Sequence, residues 1–170
     1  MFSTPRKLTA QDDVSEFDCG QPDLDDWLKS YALVNQRAGM TTVFVTAAKG
    51  KVVGYYALAT GGVERADAPG RVTRGVPAHP IPVILLARLA VDSSAQKQGL
   101  GRALLRDALI RVGNAADEIG VRALLIHAKD EQAKEFYMKQ AEFEPSPTDP
   151  LHLFLLLKDL KKALRAAVSA

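Results

Sequence analysis

The segment from residue 83 to residue 112 constrains the fold of this chain more than any other feature. It consists of a long apolar run, a loop that contains two glycines, and an amphipathic segment. The run from Val83 to Val91 is β-branched at both ends and is interrupted only by Arg88, as in a strand buried on both faces. Beyond a short polar segment come Gly99 and Gly101, and apolar residues then recur at helical spacing. The order strand, polar loop, helix therefore predicts the central unit of an α/β fold.

The loop from Gln96 to Gly101 has the composition of an anion-binding site. The first backbone amides of a helix lack internal partners and lie at the positive end of the helix dipole, and glycines let a ligand approach them. Lys97 and Arg102 add full positive charge. The loop lacks the Lys-Ser/Thr pair of a nucleotide-triphosphate loop, and Leu104 stands where a dinucleotide-binding fingerprint needs a small residue. We therefore expect a phosphate or pyrophosphate ligand of another kind.

Gln96, Gly99 and Gly101 resemble the Q/R-x-x-G-x-G/A signature of the GNAT acetyltransferase superfamily. The resemblance implies the GNAT fold, with a mixed central sheet of six to seven strands, a splayed central strand pair and flanking helices in three layers. It also implies acetyl-CoA as co-substrate and no metal. The residues that it assigns to acetyl-CoA are Leu89, Ala90, Val91, Gln96, Lys97, Gln98, Gly99, Leu100, Gly101, Arg102 and Phe136.

Size and composition indicate a single soluble domain over residues 1–170. The chain is 47% apolar and 25% charged, which is ordinary for a globular protein. Its one cysteine, Cys19, cannot form an internal disulfide, and no apolar run approaches the length of a membrane span. These features predict a cytoplasmic protein without a membrane segment.

The remaining elements follow from hydrophobic periodicity and turn residues. A helix over 22–36 is expected to bury Leu24, Leu28, Tyr31 and Ala32, and Gly54 marks a bulge or a close approach in the second strand of a hairpin. The other expected elements are strands at 6–9, 41–48, 52–63, 123–127 and 151–157, a long loop at 64–82, and helices from the glycine loop to about Gly120, at 131–140 and at 158–168.

Tyr137 is the candidate catalytic residue. Residues 133 to 137 match the A-x-x-F-Y segment of GNAT enzymes, where the tyrosine hydroxyl acts as general acid toward the thiolate of CoA. A phenol keeps its proton at neutral pH and can share it as charge builds on sulfur. A core aromatic pair is the alternative. The usual glycine before the next phenylalanine is missing, since Ala141 and Glu142 precede Phe143.

The sequence does not identify the base that deprotonates the acceptor amine. The central strand carries Arg88 and no glutamate, so Glu64 or Asp92 acting through ordered water are candidates. A strong base is unnecessary if the amine is already partly neutral at pH 7. The α-amine of an aminoacyl ester has this property, because it is less basic than a lysine side chain.

The chain is also similar to the GNAT toxins of bacterial type II toxin-antitoxin systems. The similarity rests on FDCG-x₃-LDDWL at 17 to 28, ARLAVD at 87 to 92, the glycine loop, A-x-x-F-Y at 133 to 137 and EPSPTDPLHLFLLLKDL at 144 to 160. It implies acetylation of the α-amino group of aminoacyl-tRNA, which blocks translation. It further implies a homodimer and a ribbon-helix-helix antitoxin that neutralises the toxin and joins it on operator DNA.

Basic residues cluster in the segment that surrounds the glycine loop. Residues 65 to 111 hold eight bases against three acids, and such clusters favour an anionic partner. The candidates for the acceptor end of tRNA are Arg71, Arg74, Arg88 and Lys97. The alternative is that the bases serve CoA phosphates and solubility. Two other functions stay open: an ordinary GNAT enzyme for a small amine or a protein N-terminus, and a regulatory module that binds acetyl-CoA or an antitoxin without catalysis.

Overall fold

The computed structural model describes residues 1–169 and contains seven strands and six α-helices within them. The strands are β1 (Arg6–Lys7), β2 (Thr42–Ala48), β3 (Lys51–Val63), β4 (Ile81–Val91), β5 (Ala123–His127), β6 (Glu144–Pro145) and β7 (His152–Leu156). The helices are α1 (Pro22–Asp26), α2 (Ala32–Arg37), α3 (Gly70–Thr73), α4 (Leu100–Ala116), α5 (Glu131–Gln140) and α6 (Leu157–Ser169).

The strands form one mixed sheet in the order β1-β2-β3-β4-β5-β7-β6. This confirms the predicted α/β sheet of six to seven strands with flanking helices. Backbone contacts divide the chain into two compact units, one of Met1–Ala59 and Ala87–Ala108 and the other of Thr60–Leu86 and Leu109–Ala170. Each unit has its own buried apolar cluster.

Aromatic packing organises the core of the first unit. The Trp27 and Tyr55 rings stack with centroids 6.0 Å apart, and Phe17 meets Tyr55 edge-on at 5.5 Å. The buried hydroxyl of Tyr55 donates a 2.7 Å hydrogen bond to the backbone oxygen of Leu24, which satisfies the polar end of an otherwise apolar ring. Trp27 therefore anchors the core of this unit.

The predicted helix over 22–36 is interrupted by a π-helical turn, Trp27–Tyr31, between α1 and α2. The wider turn changes the phase of the helix, so Leu28 and Ala32 are buried while Tyr31 is 57% exposed. The prediction that Tyr31 lies on the buried face was wrong, because simple 3.6-residue periodicity does not account for the extra residue in the turn.

Gly54 allows helix α4 to approach strand β3 within the first unit. A Cβ atom at Gly54 would lie 2.9 Å from Leu104 Cδ1 and 3.0 Å from Thr46 Cγ2. The β2–β3 register also shifts between Thr46 and Ala47, opposite Gly54. Both the predicted bulge and the predicted close approach are therefore present. The hairpin turns through Lys49 and Gly50, which both have positive φ.

In the second unit β4 and β5 pair in parallel, with Val83–Leu86 opposite Ala123–Ile126, and β5 pairs antiparallel with β7. The segment 64–82, predicted as a loop, contains a 3₁₀ turn at Arg65–Asp67 and helix α3. Arg122 orders it by donating from its guanidinium to the backbone oxygens of Val72, Arg71 and Arg74. Sequence pattern alone could not show a tie to a residue about fifty positions away. Helix α4 also ends earlier than predicted, at Ala116.

Candidate active site

The glycine loop lies between strand β4 and helix α4 in the first unit, and its start is anchored by side chains. After β4 ends at Val91, the Asp92 carboxylate accepts hydrogen bonds from the backbone amides of Asp18 (2.8 Å) and Ser94 (3.0 Å). The Gln96 amide donates to the backbone oxygens of Val91 (2.9 Å) and Cys19 (3.1 Å). The side chain of Gln96, the first signature residue, thus fixes the loop to its neighbours.

The backbone of the loop adopts the left-handed conformation at two positions. Lys97 has φ of 62° and Gly99 has φ of 81°, and helix α4 begins at the next residue, Leu100. Left-handed residues within a turn can direct backbone amides toward one side, and backbone concavities of this kind bind anions. Residues 96–99 are exposed, whereas Leu100 is buried and holds the helix in place. The sequence predicts that this exposed loop binds the diphosphate of acetyl-CoA.

Asp92 is poorly suited to act as the base that the sequence left open. Desolvation raises the pKa of its carboxyl, but hydrogen bonds from the Ser94 hydroxyl and the amides of Asp18 and Ser94 outweigh this effect and hold it below its usual value. A carboxylate with three hydrogen-bond donors has little capacity to accept a proton. Glu64, the other candidate, lies in the second unit and is exposed.

Tyr137 occupies the buried face of helix α5 in the second unit. Asp130 caps this helix by accepting a 2.8 Å hydrogen bond from the amide of Ala133. The Tyr137 ring packs edge-on against Phe136 (5.2 Å between centroids) and at a tilt against Phe143 (6.3 Å). The ring is only 7% exposed, and burial raises the pKa of its phenol above the usual value. The hydroxyl is therefore a proton donor throughout the physiological pH range.

The missing glycine at the end of α5 has a structural explanation. Ala141 adopts an extended conformation, with φ of −163°, where the helix ends. Any L-residue adopts this conformation, so a glycine is not required there. Phe143 then folds back and is 97% buried against the core, so the unusual sequence Ala141-Glu142 still delivers the aromatic contact to Tyr137.

The four basic residues assigned to tRNA divide into two pairs. Arg71 is committed to two carboxylates, at 2.7 Å from Asp159 and 2.8 Å from Glu144. The guanidinium carbon of Arg88 lies 4.4 Å from the centroid of the Trp27 ring, in a cation–π contact. Arg74 and Lys97 are exposed. Exposure makes Arg74 and Lys97 the better candidates for contacts with phosphate.

A cavity of about 490 Å³ in the second unit is a feature that the sequence analysis missed. It is lined by the end of β3, by strands β4, β5 and β7, and by the segments that follow β3 and precede β7. His127 and His152 stack at its edge, with ring centroids 3.9 Å apart. The two histidines are cross-strand partners in β5 and β7, so only the strand register reveals their contact.

Among residues 1–169, no cluster of three or more His, Cys, Asp or Glu side chains has the arrangement of a metal site. None of the described helices combines the length and apolar character needed to cross a bilayer.

A family model described as an acetyltransferase (GNAT) domain matches residues 40–143. The chain belongs to the GNAT acetyltransferase family. Its GNAT fold and its class, an acetyl-CoA-dependent acetyltransferase, agree with the expectation from the glycine loop. A tRNA-acetylating toxin of Mycobacterium tuberculosis is 54% identical over 160 residues, which cover 94% of this chain and 95% of that protein.

Two solved structures resemble the chain over nearly its whole length. AtaT complexed with acetyl-methionyl-tRNAfMet has a TM-score of 0.86 and 28% identity, covering 95% of this chain and 98% of that chain. A mutant of the AtaT toxin bound to acetyl-CoA and to the C-terminus of the antitoxin AtaR has a TM-score of 0.81 and 28% identity, covering 95% and 96% of the two chains.

Proposed function

We propose that the protein is a toxin that transfers the acetyl group of acetyl-CoA to the α-amino group of aminoacyl-tRNA and so blocks translation. The observation that carries this proposal is the 54% identity, over almost the entire length of both chains, to a tRNA-acetylating toxin. Three features of the structure are consistent with this function: the anchored glycine loop, the buried phenol of Tyr137, and the exposed cations Arg74 and Lys97.

The glycine loop is the proposed binding site for acetyl-CoA, which supplies the activated acetyl thioester. The amides from Lys97 to Arg102 bind its diphosphate, and the backbone of Leu89, Ala90 and Val91 aligns the pantetheine arm. Gln96 holds the loop in shape through its bonds to Val91 and Cys19. Gln98 donates to the backbone oxygen of Ser94 at 3.3 Å and supports the same loop.

Tyr137 is the proposed general acid. Because burial raises the pKa of its phenol, the residue remains protonated and presents a hydrogen-bond donor to the sulfur atom as negative charge develops there. Phe136 and Phe143 hold the ring in one orientation. The aromatic contacts thus serve the packing role that the sequence offered as an alternative and also orient the hydroxyl.

The decisive experiment is to incubate the protein with radiolabelled acetyl-CoA and total aminoacyl-tRNA and to compare wild type with Tyr137→Phe. We expect label on the amino acid of the charged tRNA, and a rate at least about 100-fold lower for Tyr137→Phe, which is the usual contribution of a general acid. Tyr31→Phe, which alters an exposed ring, is the matched control and should retain full activity.

Expression in growing cells adds a second readout of the same proposal. Wild type should arrest growth and Tyr137→Phe should not. Label on free amines or protein N-termini but not on charged tRNA would contradict the proposal in favour of an ordinary GNAT enzyme. Acetyl-CoA binding without acetyl transfer to any amine would instead favour a regulatory module.

The proposed partners are a ribbon-helix-helix antitoxin and a second copy of the chain, with operator DNA bound only through the antitoxin. The AtaT mutant bound to the C-terminus of AtaR supports an antitoxin partner. Light scattering of the protein alone tests for the homodimer, and growth recovery on co-expression of the neighbouring open reading frame tests for the antitoxin. A monomer in solution would overturn the first proposal, and persistent growth arrest the second.

A further inference from the structure

The cavity in the second unit lies where ligands commonly bind in α/β sheets. It borders the parallel pair β4–β5, and His127, the last residue of β5, lines it. Crevices at the carboxyl ends of parallel strands are the usual binding sites of such sheets, and here β5 contributes its carboxyl end while β4 contributes residues of its first half. Val83, Leu85, Leu125 and Phe154 supply apolar surface, and a volume of about 490 Å³ suits a small organic group.

The charge of the cavity differs from that of the glycine loop. Its lining holds the carboxylates of Glu64, Asp67 and Asp149, and no lysine or arginine is among the described residues that form it. Asp67 accepts a 2.7 Å hydrogen bond from the Thr148 hydroxyl, and Glu64 is exposed. Carboxylates with apolar surface nearby fit an ammonium group attached to a small carbon skeleton, whereas they repel phosphate.

The histidine pair provides a proton acceptor at the edge of this cavity. The rings of His127 and His152 are nearly parallel, at 12°, with centroids 3.9 Å apart. The Nε2 atom of His152 lies 3.2 Å from an oxygen of Asp149. Asp149 therefore contacts His152 directly, while His127 faces the stacked ring of His152.

We propose that this cavity receives the aminoacyl end of the acceptor and that His127 removes a proton from its α-ammonium group. The inference rests on the proposed function and assigns the base that the sequence left open. Glu64 attracts the ammonium group, the apolar lining contacts the amino-acid side chain, and His152 with Asp149 positions the imidazole of His127.

The protonation state of His127 suits this role. Partial burial lowers the pKa of His127 most, and the positive charge that His152 can carry lowers it further. The negative charge of Asp149 raises it by a smaller amount. Glu64 and Asp67 are the other titratable groups of the cavity. His127 is therefore neutral at pH 7, with a free lone pair. An α-ammonium group has a pKa of about 8, which is above that of His127, so transfer of its proton to the imidazole is uphill and proceeds because His127 passes the proton on to solvent.

The proton balance of the step is complete. His127 takes one proton from the ammonium group and releases it to solvent. The neutral amine attacks the acetyl carbonyl carbon, the C–N bond forms and the C–S bond breaks. Tyr137 gives its proton to the sulfur atom. The nitrogen then loses a second proton to solvent, and a proton from solvent restores Tyr137. The net reaction yields an amide, the free thiol of CoA and one proton in solution.

The test is the pH dependence of acetyl transfer from radiolabelled acetyl-CoA to total aminoacyl-tRNA, with initial rates from about pH 5.5 to about pH 9. Relative to wild type, His127→Gln should lose about 100-fold in kcat/KM near pH 6. The loss should shrink toward pH 9, where the amine deprotonates by itself. His79→Gln, which changes an exposed histidine of the same unit, is the control and should follow wild type throughout.

A second variant keeps the inference testable if His127→Gln folds poorly. His152→Gln removes a ring that can carry positive charge next to His127 and should raise the pKa of His127, so the acidic limb of the kcat/KM profile should move to higher pH. Wild-type pH dependence in both variants would overturn the inference and leave the proposed function intact. Absence of label on charged tRNA with wild-type protein would overturn both.

Discussion

At the scale of single residues, Gly99 combines a structural requirement with a functional one. Its φ of 81° is disfavoured for any residue with a Cβ, although no atom lies within 4 Å of where that Cβ would be. Gly99→Ala should therefore cost about 1–2 kcal/mol of folding stability through backbone strain alone. If the loop relaxes to relieve the strain, its amides turn away from the diphosphate. We then expect the affinity for acetyl-CoA to fall about tenfold or more, which corresponds to a loss of about 1.4 kcal/mol of binding free energy.

Gly39→Ala is the matched control for this prediction, because Gly39 has φ of 76° and equally open surroundings at the end of α2. It should lose similar stability in urea denaturation and retain wild-type acetyl-CoA affinity in calorimetry. Equal affinity for acetyl-CoA in both variants would show that the loop conformation at Gly99 does not contribute to binding.

The sequence could predict the role of a residue only where that role depends on residues adjacent to it in the chain. The glycine loop and Tyr137 stand in short contiguous motifs, so their element and their type of contact follow from local pattern. His127 and His152 are 25 positions apart and meet only because β5 pairs with β7 in one register. In sequence, Arg71 and Arg88 look like free cations. In the folded chain Arg71 forms ion pairs with Asp159 and Glu144, and Arg88 lies over the ring of Trp27.

At the scale of elements, the contact between strand β3 and helix α4 depends on the absence of a side chain at Gly54. A Cβ there would lie 2.9 Å from Leu104 Cδ1 and 3.4 Å from Leu100 Cδ2, and both leucines are buried. Gly54→Ala should therefore force the packed side chains of Leu104 and Leu100, and with them the first turns of α4, to shift, at a cost of about 1–3 kcal/mol. Because α4 begins directly after the glycine loop, acetyl-CoA affinity should decrease together with the urea midpoint.

Gly61→Ala, in the same strand, tests whether this effect is specific to the helix contact. A Cβ at Gly61 would meet only Val83 Cγ2, at an ordinary 3.7 Å. We expect nearly wild-type stability and affinity for this variant. A urea midpoint for Gly54→Ala that matched Gly61→Ala would mean that α4 accommodates the methyl group without moving.

The elements also show where periodicity reaches its limit. The bounds of β5 and α5 agree with prediction because each has a regular pattern from end to end. The helix over 22–36 does not, since a single extra residue in the π-helical turn reverses the exposure of Tyr31. Helix α3 is four residues long and is held by Arg122 rather than by its own sequence, so no local pattern could predict it.

At the scale of the whole molecule, charge separates the proposed function from its alternatives. Acids outnumber bases by seven to three in residues 1–36, whereas bases outnumber acids by eight to three in residues 65–111. A net charge of +2 conceals this asymmetry. Phosphate contacts release counterions, so an acceptor bound through such contacts must show a linear fall of log(kcat/KM) with log salt. A small amine has no phosphates and should show almost no dependence.

We therefore predict that kcat/KM for aminoacyl-tRNA falls steeply between about 50 and about 200 mM salt, while the acetyl-CoA-dependent reaction with an amino-acid amide stays nearly constant. Arg74→Gln removes an exposed cation of the basic segment and should reduce the magnitude of the tRNA slope by nearly one, as expected for one lost phosphate contact. Arg37→Gln, at an exposed position of α2, should leave the slope unchanged. Equal slopes for tRNA and the amide would mean that the basic segment does not bind the acceptor, whatever the chemistry of the site.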